Sequence, residues 1–393
     1  MTAWNTVKLS EVCEIQRGGS PRPIEQFMTE DANGVNWIKI GDVAEGAKYI
    51  TSTREKIRPE GVQRSREVSY GDFLLSNSMS FGRPYILRTS GCIHDGWLVL
   101  RYDKTKLTED FLYHVLSSDF VYAQFVKFAV GAVVKNLNSD IVKNVSITLP
   151  PLPEQRRIAA ILDQADALRA KRREALAHLD ALTQSIFIEM FGDPATNPKG
   201  WPIRKIGELL ESASYGTSEK SAAEGQFPVL RMNNITRTGE IDLTDLKYMN
   251  LDEDEYDRYL VRTGDVLFNR TNSADLVGKT AIYRHTETVA YAGYLIRLRA
   301  NTENDPEYLG RFLNSAYAKR MLRGMCKSII GMANINATEI QAMKIAQPPT
   351  SVQREFGKRV RAVEHVKARH RESLAELDTL FASLQHRAFR GEL

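Results

Sequence analysis

Pro150-Pro151-Leu152-Pro153-Glu154-Gln155-Arg156-Arg157-Ile158 opens a long run that stops at Gly192 and Pro194, and Pro348-Pro349-Thr350-Ser351-Val352-Gln353-Arg354 opens a second that stops at Gly391. In the first run Ile158, Ile161, Ala165, Leu168, Arg172, Ala175, Leu179, Leu182 and Ile186 alternate spacings of three and four residues. That is a heptad seam on one helix. In the second run Phe356, Val363, Val366, His370, Ser373, Leu377, Leu380 and Leu384 occupy the same seam 198 residues later. The polar interruptions, Arg172 and His370, fall at matching positions. Pro153 suits a first helical turn, Thr350 and Gln353 have the spacing of a capping box, and the glycines are helix stops. A helix over Glu154–Met190 would be about 55 Å long at ~1.5 Å per residue, and one seam cannot bury itself. The expectation is two antiparallel helices paired along these seams, rather than each packing only on its own domain.

The rest of the chain repeats with the helices. Trp4 and Trp201 open similar segments, Gly71-Asp72-Phe73-Leu74 matches Gly264-Asp265-Val266-Leu267, and Gly82-Arg83 matches Gly278-Lys279. Leu137-Asn138 matches Ile335-Asn336, and Gln155-Arg156 matches Gln353-Arg354, with offsets between 193 and 198. A period of half the chain means a duplicated pair, not a solenoid. Short apolar runs at Asp72–Ser76, Tyr85–Arg88, Trp97–Arg101, Asp265–Asn269, Thr280–Tyr283 and Tyr294–Arg299 read as strands bounded by turns. Glu109–Ser117 and Pro306–Ser315 have helical spacing. The expected fold class is α+β: two domains related by a pseudo-twofold axis and separated by an antiparallel coiled coil of two long helices. The expected boundaries are 1–150, 151–193, 194–349 and 350–393.

Composition narrows the function. With 53 basic and 49 acidic side chains the net charge is only +4. That excludes a strongly basic nucleic-acid wrapper but leaves room for local basic patches. Cys13, Cys92 and Cys326 are far apart and form no CxxC, which reads as a reduced, cytoplasmic chain. Nothing resembles a signal peptide, and Phe120–Val134 is too short and too polar to span a bilayer.

Catalytic motifs are missing: there is no HExxH, GxSxG or GxGxxG, and no nuclease or methyltransferase signature. The segment Ser273–Thr280 ends in Gly-Lys-Thr but has Ser273 where a phosphate loop needs glycine, so it reads as a strand-entry turn with a surface cation. His365 and His370 are five apart and share no helix face, so no metal site is expected. The run Asp252–Glu255 reads as a solvated loop or helix start. What remains is a set of polar and basic loops that recur in both halves. In the first half they carry Arg22, Asn77, Ser78, Ser80, Arg83, Lys135 and Asn136. In the second they carry Lys220, Arg231, Asn233, Asn234, Asn269, Arg270, Asn272, Lys279 and Asn334. These side-chain types read base edges and phosphates, although Asn, Ser and Gly also dominate ordinary turns.

Leu149–Ile158 followed by a long heptad helix ending Phe191-Gly192-Asp193 resembles the central region of a Type I restriction-modification specificity subunit. The ending Ala388–Leu393, the opening Trp4–Val12 and the stretch from Gly131 to Ile141 resemble that family too, so the likeness covers essentially the whole chain. The second copy departs from it, with Val352 where the first has Glu154. The resemblance implies a non-catalytic subunit whose two target-recognition domains each read one half of a split, asymmetric double-stranded DNA sequence. It implies that the helices dock two modification subunits, which bind S-adenosylmethionine, and that restriction subunits add ATP- and Mg-dependent translocation and cleavage. No cofactor is then expected in this chain. The competing readings are an enzyme of unfamiliar motif and a coiled-coil adaptor or inhibitor that has lost DNA reading.

Overall fold

The computed structural model describes residues 4–44, 46–77, 81–129, 137–273, 276–325 and 333–393. The chain divides into two compact units, Met1–Arg173 with Glu372–Leu393, and Glu174–Arg371, so each unit holds part of both long helices. In the first unit the strand Phe73–Ser76 is buried along its whole length. Phe73 and Leu75 enter one apolar cluster, with Phe111 and Ile158. Leu74 enters another, with Ile93, Trp97 and Val99. Successive side chains leave a strand on opposite faces, so a strand covered on both sides reads as an unbroken apolar run.

This strand lies in a sheet of order Cys13–Arg17, Trp97–Tyr102, Phe73–Ser76, Pro84–Leu87, Tyr49–Ile50. A second sheet runs Met28–Thr29, Glu55–Ile57, Val35–Ile38, Gly91–Ile93, Arg66–Val68. The second unit repeats the plan. Leu210–Tyr215, Leu295–Ala300, Val266–Asn269 and Thr280–Ile282 form one sheet. Lys247–Met249, Phe227–Leu230, Val289–Tyr291 and Leu260–Val261 form the other. In both units the first strand of the second-sheet core pairs in parallel with the strand after the hairpin, Trp37 with Cys92 and Val229 with Ala290. The helices Glu109–Leu116 and Pro306–Asn314 cover the first sheet of each unit, as the spacing predicts. Each is followed by a helix the sequence analysis did not identify, Asp119–Ala129 and Ala316–Met325.

The long helices are Leu152–Phe191 and Thr350–Ala388. Each is tied to its domain by a buried glutamine. Gln155 donates to the Pro150 and Lys106 carbonyls (2.9 and 2.7 Å) and accepts from the Thr108 N–H (2.9 Å). Gln353, 198 residues later, donates to the Pro348 carbonyl (2.8 Å) and Asn304 Oδ1 (3.0 Å) and accepts from the Asp305 N–H (3.0 Å). The Thr350 capping box therefore does not form. Its glutamine is turned inward, and the Thr350 hydroxyl donates to the Glu303 carbonyl instead.

Within each unit the helix portions run antiparallel and also pack on the unit's own domain. In the first unit Arg169 Nε meets Asp378 Oδ1 at 2.6 Å while Arg157, a few turns earlier, donates to the Leu393 carbonyl. In the second unit Lys367 Nζ meets Asp180 Oδ1 at 2.7 Å, and Phe356, earlier still, packs on Phe187 and Phe191. The two ion pairs are equivalent, each member lying 198 residues from its counterpart.

Half of the expected seam is correct and half is displaced by one residue. Ile158, Ala165, Phe356 and Val363 are buried as expected. The intervening positions are Leu162, Arg169 and Thr183, and Val360, Lys367 and Phe381, whereas Ala175 and Leu176, like Ser373 and Leu374, are half-buried alike. Leu168 is 45% exposed, Leu182 45%, Val366 41% and Leu380 48%. Apolarity alone favoured Leu168, Leu182 and Val366 over the neighbouring Arg169, Thr183 and Lys367, and gave no choice between Leu380 and Phe381. The structure prefers the cations because each finds a carboxylate across the seam.

Charged clasps also join each domain to its helix portions, with opposite polarity. In the first unit Lys48, beside the edge strand Tyr49–Ile50, binds Asp110 (2.8 Å) and Asp163 (3.4 Å), and His114 Nε2 lies 2.9 Å from Asp163. In the second, Glu240 of the domain binds the helix cations Lys367 (2.7 Å) and Arg371. Burial pulls Lys367 down, but hydrogen bonds to Asp180 and Glu240 outweigh it and hold the ammonium above its ordinary range.

Two outcomes are expected. Leu162→Glu, at a fully buried site, should cost about 3–5 kcal/mol, the scale of an uncompensated buried charge, whereas Leu168→Glu should stay within about 0.5 kcal/mol; equal shifts in urea unfolding would refute the displaced register. The hydrogen bond to His114, then the charges of His114 and Lys48, hold the Asp163 carboxyl below its usual range despite burial. Stability from this group is present above the unfolded value near ~3.9 and is lost as pH falls through the lower folded value. Asp163→Asn should therefore melt below the wild type at pH 6, and the two melting curves should converge towards pH 3.

Candidate nucleic-acid interface

In the first unit three loops meet at one end of the sheets. The turn His94–Gly96, which carries the chain from Gly91–Ile93 in one sheet to Trp97–Tyr102 in the other, is their meeting point. Gly18 N–H donates to the Trp97 carbonyl (2.9 Å), Gly19 N–H to Ile93 (3.2 Å) and Asn77 N–H to Gly96 (3.0 Å). Asp95 gathers the side chains: its carboxylate accepts from Ser20 Oγ (2.8 Å) and lies 3.7 Å from Arg22 Nη2. Its carbonyl accepts from Asn77 Nδ2 (2.6 Å) and Arg17 Nε (3.3 Å). The Ser20 hydrogen bond above all, with help from His94 and Arg17, holds the Asp95 carboxyl below its ordinary range. Burial, then the nearby Lys39, pushes the His94 imidazole down, and Gly96 N–H donates to its Nδ1 at 2.8 Å. Beside this turn lies an open groove of about 970 Å³ lined by Arg22, Met28, Trp37, Lys39, His94 and Asp95 among others.

The second unit builds the same frame. Gly216 N–H donates to the Leu295 carbonyl (3.3 Å), Thr217 N–H to Tyr291 (3.0 Å) and Arg270 N–H to Tyr294 (3.0 Å). The loop bases match too. Ser76 N–H donates to the Arg83 carbonyl (3.1 Å) and Leu137 N–H to Asn77 (3.0 Å); Asn269 N–H donates to Lys279 (2.8 Å) and Ile335 N–H to Arg270 (2.9 Å). Gly82 and Gly278 close these loops with φ of +76° and +77°. A Cβ at either would also sit 2.9 Å from the Phe125 or Leu322 side chain. On this shared frame the side chains differ. Where the first unit carries Arg17, the second carries Tyr215, whose ring lies 4.7 Å from the Arg270 guanidinium.

The residues expected from the sequence divide into three sets. Arg22, Arg83, Lys220, Asn233 and Asn334 are exposed. Arg270 and Asn272 are half-buried at the loop mouth, Arg270 also donating weakly to the Gly293 carbonyl (3.5 Å). The others serve the loops themselves in this structure. Asn77 is buried on Asp95. Asn234 is buried with Nδ2 on the Asp242 and Asp245 carbonyls and Oδ1 accepting from Arg231 N–H. Asn269 is fully buried, its side-chain amide making no hydrogen bond among the described residues, and Arg231 is held by Asp245 at 2.9 Å. Lys279 is not a free surface cation: its Nζ donates to the Met232 carbonyl (2.9 Å) and the Ile235 carbonyl. Ser78, Ser80, Lys135 and Asn136 lie outside the described residues.

Sequence reasoning missed the exposed cations around Gly18 and Gly19. Arg66 Nε lies 3.4 Å from the Arg17 carbonyl, and Arg64 stands over the Phe27 ring at 5.5 Å. It also missed the turn that organises them, although Asp95-Gly96 is a strong turn signal in sequence. Among the described residues no group of His, Cys, Asp and Glu is placed to hold a metal, and no helix is long and apolar enough to cross a membrane.

Comparison with known proteins agrees with this duplicated plan. The chain is 24% identical over 418 residues to the Type I restriction enzyme EcoKI specificity subunit of Escherichia coli strain K12, covering 99% of this chain and 89% of that protein. It is 22% identical over 419 residues to the StySPI specificity subunit of Salmonella potsdam, with the same coverage. The Type-I restriction-modification S subunit from M. genitalium has a similar fold, with a TM-score of 0.53 at 16% identity over 99% of this chain and 96% of that one. A structure described as the basis of complex assembly and conformational transition of the type I R-M system gives a TM-score of 0.55 at 22% identity, over 100% and 99% of the two chains. The model of the Type I restriction modification DNA specificity domain matches twice, at residues 1–178 and 198–378, and the chain belongs to that family.

Proposed function

We propose that this chain is the DNA-reading, non-catalytic specificity subunit of a Type I restriction-modification complex. The observation that carries the reading is one backbone frame presented twice with different side chains. Arg17, Ser20, Arg22 and Arg83 stand on the first frame; Tyr215, Thr217, Lys220 and Arg270 stand on the second. Two readers with the same geometry and different donors recognise two unlike half-sites, and so a split, asymmetric target. Exposed arginines are suited to bidentate contacts with guanine, and arginine and lysine to phosphates. Methyl transfer and cleavage then belong to partners: two modification subunits carrying S-adenosylmethionine docked on the long helices, and restriction subunits using ATP and Mg. This chain itself needs no cofactor, and it works where its DNA is, in the cytoplasm.

The test is binding by the chain together with its modification subunits to duplexes altered in one half-site at a time. Arg22→Ala and Arg83→Ala should relax discrimination at one half-site only, and Lys220→Ala and Arg270→Ala at the other. A lost bidentate contact should lower discrimination by about 1–3 kcal/mol. If all four variants affect the same half-site the two-reader assignment fails. If the wild type shows no sequence preference, the chain is an adaptor.

A further inference from the structure

We propose that the Gly278 turn of the second unit, with Lys279, Lys319, Arg323 and Arg237 around it, is a docking point for a backbone phosphate of the bound DNA; this rests on the reading of the chain as a DNA-binding subunit. Lys319 lies on the helix Ala316–Met325, and its Nζ donates to the Gly278 carbonyl. Arg323 lies one turn further along the same helix, at the spacing that places two side chains on one face. Lys279 follows Gly278 directly. Arg237 belongs to the turn Thr236–Gly239, whose glycine approaches Thr280 so closely that a Cβ there would sit 2.7 Å from the Thr280 carbonyl oxygen.

Among the described residues none of these four cations forms an ion pair with a carboxylate. Glu240, the carboxylate beside the Arg237 turn, is engaged by Lys367 and Arg371. The cations repel one another instead. Burial, then Arg323 and Lys279, pushes the Lys319 ammonium down to about 8. Burial, then Arg237, lowers Lys279. Like charges held together by backbone carbonyls are destabilised until an anion arrives, and a phosphate supplies that charge with several acceptor oxygens.

The fold does not require this charge. In the first unit the equivalent turn, Gly82, is backed by Phe125 where Gly278 is backed by Leu322. Tyr122, three residues before Phe125 as Lys319 is before Leu322, packs edge-on against Phe81 at 6.2 Å. The cation after the glycine is present in both units, as Arg83 and Lys279, but the helix position beside the turn is aromatic, Tyr122, in one unit and cationic, Lys319, in the other.

The test uses the chain with its modification subunits, bound to target and to scrambled duplexes across a range of salt and pH. Lys319→Met and Arg323→Ala should each weaken binding to both duplexes alike and reduce the slope of log K against log salt by about one. An adjacent phosphate raises the Lys319 value, so binding takes up a proton above pH 8. Wild-type affinity should fall between pH 7 and pH 9, and Lys319→Met should lack that step. Arg323 is exposed, so its alanine variant carries the salt test if the lysine variant misfolds. An unchanged slope with the wild-type pH profile overturns the proposal, as does a loss confined to one half-site. A wild type that cannot tell target from scrambled DNA, with the slope change still present, overturns the specificity-subunit reading and leaves the phosphate site standing.

Discussion

The position of each long helix depends on one buried amide. Gln155 and Gln353 each use both polar atoms on the chain that surrounds them, and neither reaches solvent. An unsatisfied buried amide would cost about 1–3 kcal/mol, so the glutamine, the Pro-Pro turn and the loop before the first domain helix hold one another in a single arrangement. The helix start is thereby fixed against that loop, and the seam that follows inherits its position. This gives a physical reason for the Pro-Pro-x-x-x-Gln-Arg pattern in both copies while the residue before the glutamine is free to differ. Glu154 pairs with Arg157 at the surface, and Val352 packs against the core of its own unit.

Much of this was legible in the sequence because duplication supplies an internal control. The strand Phe73–Ser76 and its counterpart Val266–Asn269 were both identified because an unbroken apolar run after Gly-Asp is hard to read otherwise. The second sheet was harder: strands such as Val35–Ile38 and Phe227–Leu230 are short and interrupted, by Asn36 in one and Pro228 in the other, so period alone does not mark them. The seam shows where apolar periodicity misleads. Leu168 and Val366 fit a heptad as well as their neighbours do, and only the carboxylates Asp378 and Asp180 on the other helix portion decide for Arg169 and Lys367.

The candidate interface divided along similar lines. The loops themselves could be found, since glycine, asparagine and basic residues cluster there. Which side chains face outward could not, because an asparagine that caps a turn and one that reads a base look alike in sequence. Asn234 and Asn77 are turn-builders, whereas Asn233, the immediate neighbour of Asn234, is exposed. Arg64 and Arg66 escaped notice for the opposite reason. They belong to a segment remote in sequence from the Gly18-Gly19 loop, and only the sheet order brings them to it.

The frame that joins the loops is made mainly of main-chain hydrogen bonds, and this bears on how such a protein can change. Ser76 and Arg83 in one unit, Asn269 and Lys279 in the other, bond through the same backbone atoms although the second loop is three residues longer. Carbonyls and amides are indifferent to the side chains they carry, apart from proline. Substitutions and short insertions at the loop tips therefore leave the hairpins, the buried glutamine and the helix seam undisturbed. A lineage can explore new surface chemistry at these positions with little penalty to folding, and it can do so in one unit while the other keeps what it had.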